Sequence, residues 1–231
     1  MNARVDGYDT LDRIIDAFEK VAVAVSGGVD SLTLASMINS RIPARVTMFH
    51  AVSPAVPAEA TRRVETLADQ QGWTLTIIDA GEFSDTDYRA NPVNRCFFCK
   101  TSLYGAIVPH TDAQIVSGTN LDDLGEYRPG LEAAKKHAVR HPFVEAGIDK
   151  AAVRALARRL GLGEISELPA APCLSSRIET GIGIDPAMLK LVHKTEKLVG
   201  AALQPRTVRC RVRAGGVVIE LDESALDATD Q

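Results

Sequence analysis

Apolar and polar positions follow two different rhythms along this chain. Leu11, Ile14, Ile15 and Phe18 recur at the spacing of a helix with one buried stripe, which predicts a helix over 11–20. VAVAV at 21–25 is a short unbroken apolar run, the pattern of a parallel strand covered on both faces. A helix over 32–39, a strand over 45–50, a helix over 57–71 and a strand over 73–78 follow. A polar, proline-containing stretch over 81–95 then precedes a helix over 99–108 and a strand over 114–117. Such alternation predicts an α/β fold, an open parallel sheet with helices on both faces, whose ligands bind at the carboxyl ends of the strands. Asp149 is placed to cap a helix running to Leu160, with Gly161 and Gly163 as stop signals. A boundary near 165 separates residues 1–165 from a small C-terminal α+β unit, 166–231, with a helix over 186–203 and strands over 207–213 and 217–221.

Composition narrows the class without changing this picture. The chain has 231 residues, 45% hydrophobic and 24% charged, the balance of a globular protein rather than a disordered or fibrous one. No apolar run approaches the roughly 18–20 residues that cross a bilayer, and the N-terminal MNARVDGYDT has no apolar leader segment, so a cytoplasmic protein without a membrane span is expected. The 26 Lys and Arg against 30 Asp and Glu leave a net charge of -4, which argues against a nucleic-acid partner. Four cysteines in a reducing compartment do not suggest a disulfide framework, so their spacing matters more than their number.

Two segments at strand ends carry candidate chemistry. Ser26, Gly27, Gly28, Val29, Asp30 and Ser31 lie between a buried strand and a helix. The glycines let backbone N–H groups turn toward an anion, the helix start adds positive dipole, and the serines add hydroxyl donors. A phosphate cradle and an ordinary strand-to-helix turn compete for this loop, and six matched residues in context favour the cradle. Asp30 can serve a Mg²⁺ ion bridging phosphates or act as a simple helix cap. After the fourth strand come Ser117, Gly118, Thr119, Asn120, Leu121, Asp122 and Asp123, read either as a plain turn or as a second wall of the same site. SGGxDS resembles the pyrophosphatase loop of the adenine nucleotide alpha hydrolase superfamily, whose members cleave ATP between the α and β phosphates. That resemblance implies a PP-loop, HUP-like ATP-binding domain over 1–165, with Gly118, Thr119 and Asn120 close to the nucleotide.

Cys96 and Cys99 form a Cys-x-x-Cys turn within NPVNRCFFCK, able to offer two sulfurs to one metal or to each other. Cys173 is the third candidate, in APCLSSR, and Lys100, Arg95 and Arg177 nearby are expected to favour the thiolate forms. Cys210 shares one strand face with Val208 and Val212 and reads as core. The five histidines offer no fourth zinc ligand at standard spacing, and three thiolates suit a cubane cluster with one open iron.

With SGGVDS, NPVNRCFFCK, SGTN, EYRPG and APCLSSR in this order, nearly the whole chain resembles the LarE family, sulfur transferases of nickel-pincer nucleotide cofactor assembly. The resemblance implies an ATP-dependent sulfur transferase that adenylates the carboxylates of a pyridinium dicarboxylate mononucleotide and converts them to thiocarboxylates. It also implies a 4Fe-4S cluster on Cys96, Cys99 and Cys173 as sulfur carrier, or Cys173 itself as donor. Glu196 and Glu220 are implied as metal-binding carboxylates, Arg209 and Arg211 as anion-holding groups at the sulfur centre, and Arg177 is counted with them as a catalytic candidate. Solvated surface positions are the plainer reading of each glutamate. A homo-oligomer and a sulfur-supplying protein or free sulfide are the partners implied, and members of the family often continue beyond the last β segment. A tRNA-thiolating enzyme and an ammonia-dependent amidotransferase subunit share the loop, but the first calls for an RNA-binding extension and the second has no use for Cys-x-x-Cys. A non-enzymatic nucleotide- or zinc-binding module would bind ATP without releasing pyrophosphate.

Overall fold

The computed structural model describes residues 3–125, 127–170, 172–223 and 225. Glu126 of EYRPG, Ala171 of APCLSSR and the first two residues lie outside them. Four strands, β1 (Val21–Ala24), β2 (Val46–Val52), β3 (Leu75–Asp79) and β4 (Gln114–Ser117), form an all-parallel sheet in the order β3-β2-β1-β4. The α/β fold expected from the alternating pattern is therefore the one observed. β1 explains why an unbroken apolar run was needed. Val21 and Val23 face one helical layer, while Ala22 and Ala24 face the other.

The first layer is built by α1 (Ala3–Asp16), α2 (Val29–Arg41), α3 (Ala58–Gln71) and later α8 (Lys150–Arg159), whose buried faces meet around Ile15, Leu32, Val64 and Val153. The second is built by α5 (Arg95–Ile107) and α6 (Pro129–Lys136) through Tyr104, Ile107 and Ala134. Two short helices, α4 (Thr86–Arg89) and α7 (Pro142–Glu145), punctuate the connections. The long α9 (Pro186–Leu203) precedes an antiparallel pair, β5 (Val208–Arg213) and β6 (Gly216–Leu221). Among the described residues no helix is long and apolar enough to cross a membrane.

Several boundaries differ from the sequence expectation. α1 ends at Asp16 rather than residue 20, and Phe18 instead packs from the connection. The stretch 81–95 is not free of helix, because Asp85 caps α4 by accepting from the Asp87 and Tyr88 amides. α5 starts at Arg95, four residues before the expected Cys99, so both cysteines of the CFFC turn lie on its first turns. α6 was not expected. Pro129 opens it, and Gly130 packs so close to α5 that an added Cβ would stand 3.2 Å from Lys100 Cγ, which gives RPG a packing role. Asp149 does cap α8, accepting from the Ala152 amide at 2.7 Å. A third apolar cluster joins Ala55 and Tyr88 to Leu174, Ile184, Leu189 and Cys210, so residues on both sides of position 165 share one core.

Candidate functional site

The strand order makes β1 and β4 neighbours although two strands lie between them in sequence, and the chain leaves them toward a common crevice. The loop after β1 holds Gly27 at φ 81, where a Cβ would stand 2.6 Å from the Ala60 carbonyl oxygen. Ser31 Oγ accepts from the Ser26 amide at 3.1 Å and donates to the Gly28 carbonyl at 3.1 Å, which draws the loop into a tight ring. Gly118, after β4, lies directly against it. A Cβ there would be 2.7 Å from the Ser31 nitrogen, so only glycine lets the two segments touch. The segments singled out in sequence are thus two walls of one crevice.

Asp30 lies between those walls and the start of α8. Asn120 Nδ2 donates to its Oδ1 at 3.2 Å, and Lys150 Nζ donates to its Oδ2 at 2.5 Å. The Lys150 amide also donates to Asp122 Oδ2 at 3.3 Å, while Asp123 Oδ2 accepts from the Asn120 amide at 3.0 Å. Asp30 is therefore a cation-holding carboxylate already carrying an internal ammonium, a donor chemistry that suits a divalent ion bridging phosphates. Lys150 went unnoticed in the sequence, where one lysine after an N-cap gives no signal. Arg63 was missed in the same way, and its Nε donates to the Gly27 carbonyl at 3.1 Å.

The three thiols converge from two directions. Cys96 and Cys99 lie on α5 and Cys173 on the exposed loop before a 3-10 turn (Leu174–Arg177), and all three are free. Cys173 is close enough to press electrostatically on both α5 thiols. The set has the chemistry of an iron–sulfur ligand trio, although no three His, Cys, Asp or Glu side chains among the described residues form a metal-binding group. The expected thiolate stabilisation is overturned for the two thiols of α5. Burial raises the Cys96 thiol and pushes Cys99 up to about 12, outweighing Lys100 and Arg95. Arg177 is not among the groups acting on these two thiols, and its guanidinium is engaged elsewhere.

That engagement supports the Cys173 loop. Arg177 Nε donates to Glu196 Oε1 at 2.7 Å, and its Nη1 donates to the Pro172 carbonyl at 3.2 Å and to Ser176 Oγ at 2.9 Å. Glu196 Oε1 also accepts from the Cys210 amide at 2.9 Å. Arg211 donates through Nε to Glu220 Oε2 at 2.6 Å and through Nη1 to the Ser176 carbonyl at 3.2 Å. Both glutamates are thus partners of arginines that hold the loop, Arg177 and Arg211. Arg209 stands opposite Glu220 in the β5–β6 register, without an ion-pair partner among the described residues.

Lys100 joins the two halves of the site. It follows Cys99 on α5 and lies within electrostatic reach of Cys96, Cys173 and His141, and His141 is hydrogen-bonded through Nδ1 to Ser117 Oγ at 2.9 Å. The crevice and the thiols are neighbouring parts of one region. Cys210 is core, 3% exposed, as its strand face required.

Known proteins give this geometry a context. No family model matches the chain. An uncharacterised protein of Synechocystis sp. is 34% identical over 192 residues, 81% of this chain and 71% of the relative. Pyridinium-3,5-bisthiocarboxylic acid mononucleotide synthase of Lactiplantibacillus plantarum is 28% identical over 222 residues, 94% of this chain and 80% of the relative. The chain belongs to the LarE family. A third relative, an uncharacterised protein of Methanocaldococcus jannaschii, is 27% identical over 209 residues. Membership in the LarE family extends across the sheet crevice and the thiol region alike, since the synthase aligns with nearly the whole chain.

Proposed function

We propose that this LarE-family chain is an ATP-dependent sulfur transferase that activates a carboxylate of a pyridinium dicarboxylate mononucleotide and replaces its oxygen by sulfur. The observation that carries this reading is the crevice between the Ser26–Ser31 loop and Gly118, in a chain that also carries three free thiols on α5 and the Cys173 loop. A carboxylate resists sulfur nucleophiles because oxide is a poor leaving group. Attack of a carboxylate oxygen on the α-phosphorus of Mg-ATP forms the acyl-adenylate and breaks the bond to pyrophosphate. The Ser26–Ser31 amides and hydroxyls receive the departing pyrophosphate, and Asp30 holds the cation.

Cys96, Cys99 and Cys173 would hold an iron–sulfur cluster, which supplies a transferable sulfide when bound. The chain's own alternative is the Cys173 thiol. Its sulfur forms a bond to the acyl carbon as AMP leaves with the electron pair of the C–O bond. Loss of the Cys173 Cα proton then breaks its Cβ–S bond and releases the thiocarboxylate. Burial pushes the Cys99 thiol up to about 12, so it stays neutral in the metal-free protein.

Incubation with Mg-ATP and the dicarboxylate mononucleotide is expected to release AMP and pyrophosphate in equal amounts, dependent on the acid. ADP and phosphate, or no turnover, would contradict the reading. Iron and sulfide assays on anaerobically purified protein separate the sulfur sources. A colourless protein with one stoichiometric zinc would reject the cluster.

A further inference from the structure

Asn91 is fully buried at 0% exposure and is one of three non-glycine residues with positive φ, at 54°, among the described residues. Its side chain spans two segments that are distant in sequence. Nδ2 donates to the carbonyls of Glu179 and Ile182, each at 2.9 Å, and of Ile178 at 3.3 Å. Oδ1 accepts from Arg95 Nη1 at 2.6 Å, and the Asn91 carbonyl accepts from the Gly181 amide at 2.9 Å. The side-chain amide therefore spends both N–H groups on the segment that follows Cys173 and its oxygen on the residue before Cys96. Cys96 lies five positions after Asn91, and Cys173 lies five positions before Ile178. A second strut runs parallel to it, the 2.7 Å buried hydrogen bond between Tyr88 Oη and Ser175 Oγ.

We propose that Asn91 is a positioning residue that sets the approach of the Cys173 loop to the Cys96–Cys99 turn. Apolar packing brings the two segments together but is non-directional, whereas a buried amide with fixed donors and acceptors selects one arrangement. The proposal rests on the sulfur-carrier reading of the three thiols. Its test does not need the carrier to be loaded.

The measurement is intramolecular cross-linking of metal-free protein by a short bismaleimide in a Cys99→Ser background, where Cys96 and Cys173 are the exposed thiols and Cys210 is buried. Asn91→Gly keeps the left-handed backbone and deletes the amide. It is expected to slow cross-linking about tenfold relative to single modification of Cys96, the scale of one or two lost buried hydrogen bonds. Val64→Ala, in the other core, is expected to destabilise the protein without altering that ratio. A ratio unchanged by Asn91→Gly, or lowered equally by Val64→Ala, would overturn the proposal. Should Asn91→Gly fail to fold, Arg95→Met removes the bond to Oδ1, and the change it makes in the charge beside Cys96 cancels in the ratio to single modification of that thiol. A fall of about threefold in the ratio is then expected, and no fall would overturn the proposal. Failure of the wild type to hold iron while its thiols cross-link readily would count against the sulfur-carrier reading alone.

Discussion

Lys150 carries the most informative side chain in the crevice, because its charge stands on the carboxylate that sequence assigned to a metal. Both partners are about one-third exposed or less, at 31% and 27%, so the pair is a screened ion pair whose contribution to folding is about 0–1 kcal/mol. On the proposed reading, Mg-ATP would bring a cation for Asp30 and phosphates for the released ammonium. Lys150→Met is therefore expected to leave the urea midpoint almost unchanged while weakening ATP binding about tenfold, the scale of one charge-assisted contact, as read by calorimetry. Unaltered ATP affinity would show that Lys150 only balances Asp30. At this scale the sequence announced Asp30 through its SGGVDS context, whereas Lys150 depends on where α8 begins in space.

His50 shows how one side chain joins elements. On β2, its Nδ1 faces the Val25 carbonyl oxygen at 2.8 Å and its Nε2 faces Thr61 Oγ1 at 2.9 Å, so it ties the end of β1 to α3 beside the loop. Burial lowers its pKa below the ordinary 6.5, and burial does the same to His141 beside β4. The folded protein therefore resists a proton that the unfolded chain accepts. Stability is fully present above pH 6.5 and is lost as pH falls through the folded values. The urea midpoint is expected to fall between pH 7 and pH 5.5, and His50→Gln should flatten that slope. Asp16, Glu167 and Glu220 are all lowered from 4.5 or less, so they titrate below this window. An unchanged slope in His50→Gln would refute the assignment. The elements that were legible in sequence, β1 and α9 above all, had a pure apolar run or a Pro after a capping Asp. α6 was hidden because its helical signal spans only eight residues.

Across the whole molecule, the C-terminal α+β unit carries the Cys173 loop on charged supports as well as on core. The Arg177–Glu196 pair is 9% and 11% exposed, so Glu196→Leu leaves a buried guanidinium without its counterion. A loss of about 3–5 kcal/mol is expected, measured by urea unfolding, together with faster alkylation of Cys173 as the Arg177 guanidinium that holds the Pro172 carbonyl loses its anchor. A loss below about 1 kcal/mol would place the pair in water rather than in the core. The family resemblance singled out both glutamates as functional candidates but not their partners. A lone acidic residue on a helix or strand reads the same whether it faces solvent, metal or arginine.

What the chain determined by itself is local in range: the parallel strands, the glycine loop after β1, the capped helices and the spacing of the first two thiols. These follow from backbone periodicity and side-chain shape within a few residues. Folding alone decided that Gly118 meets Ser31, that Lys150 neutralises Asp30, and that Asn91 fastens the loop after Cys173 to the turn before Cys96. Each of those contacts joins residues many positions apart. Their directions are fixed by how buried polar groups find partners once apolar layers have closed, and no pattern along one segment encodes that.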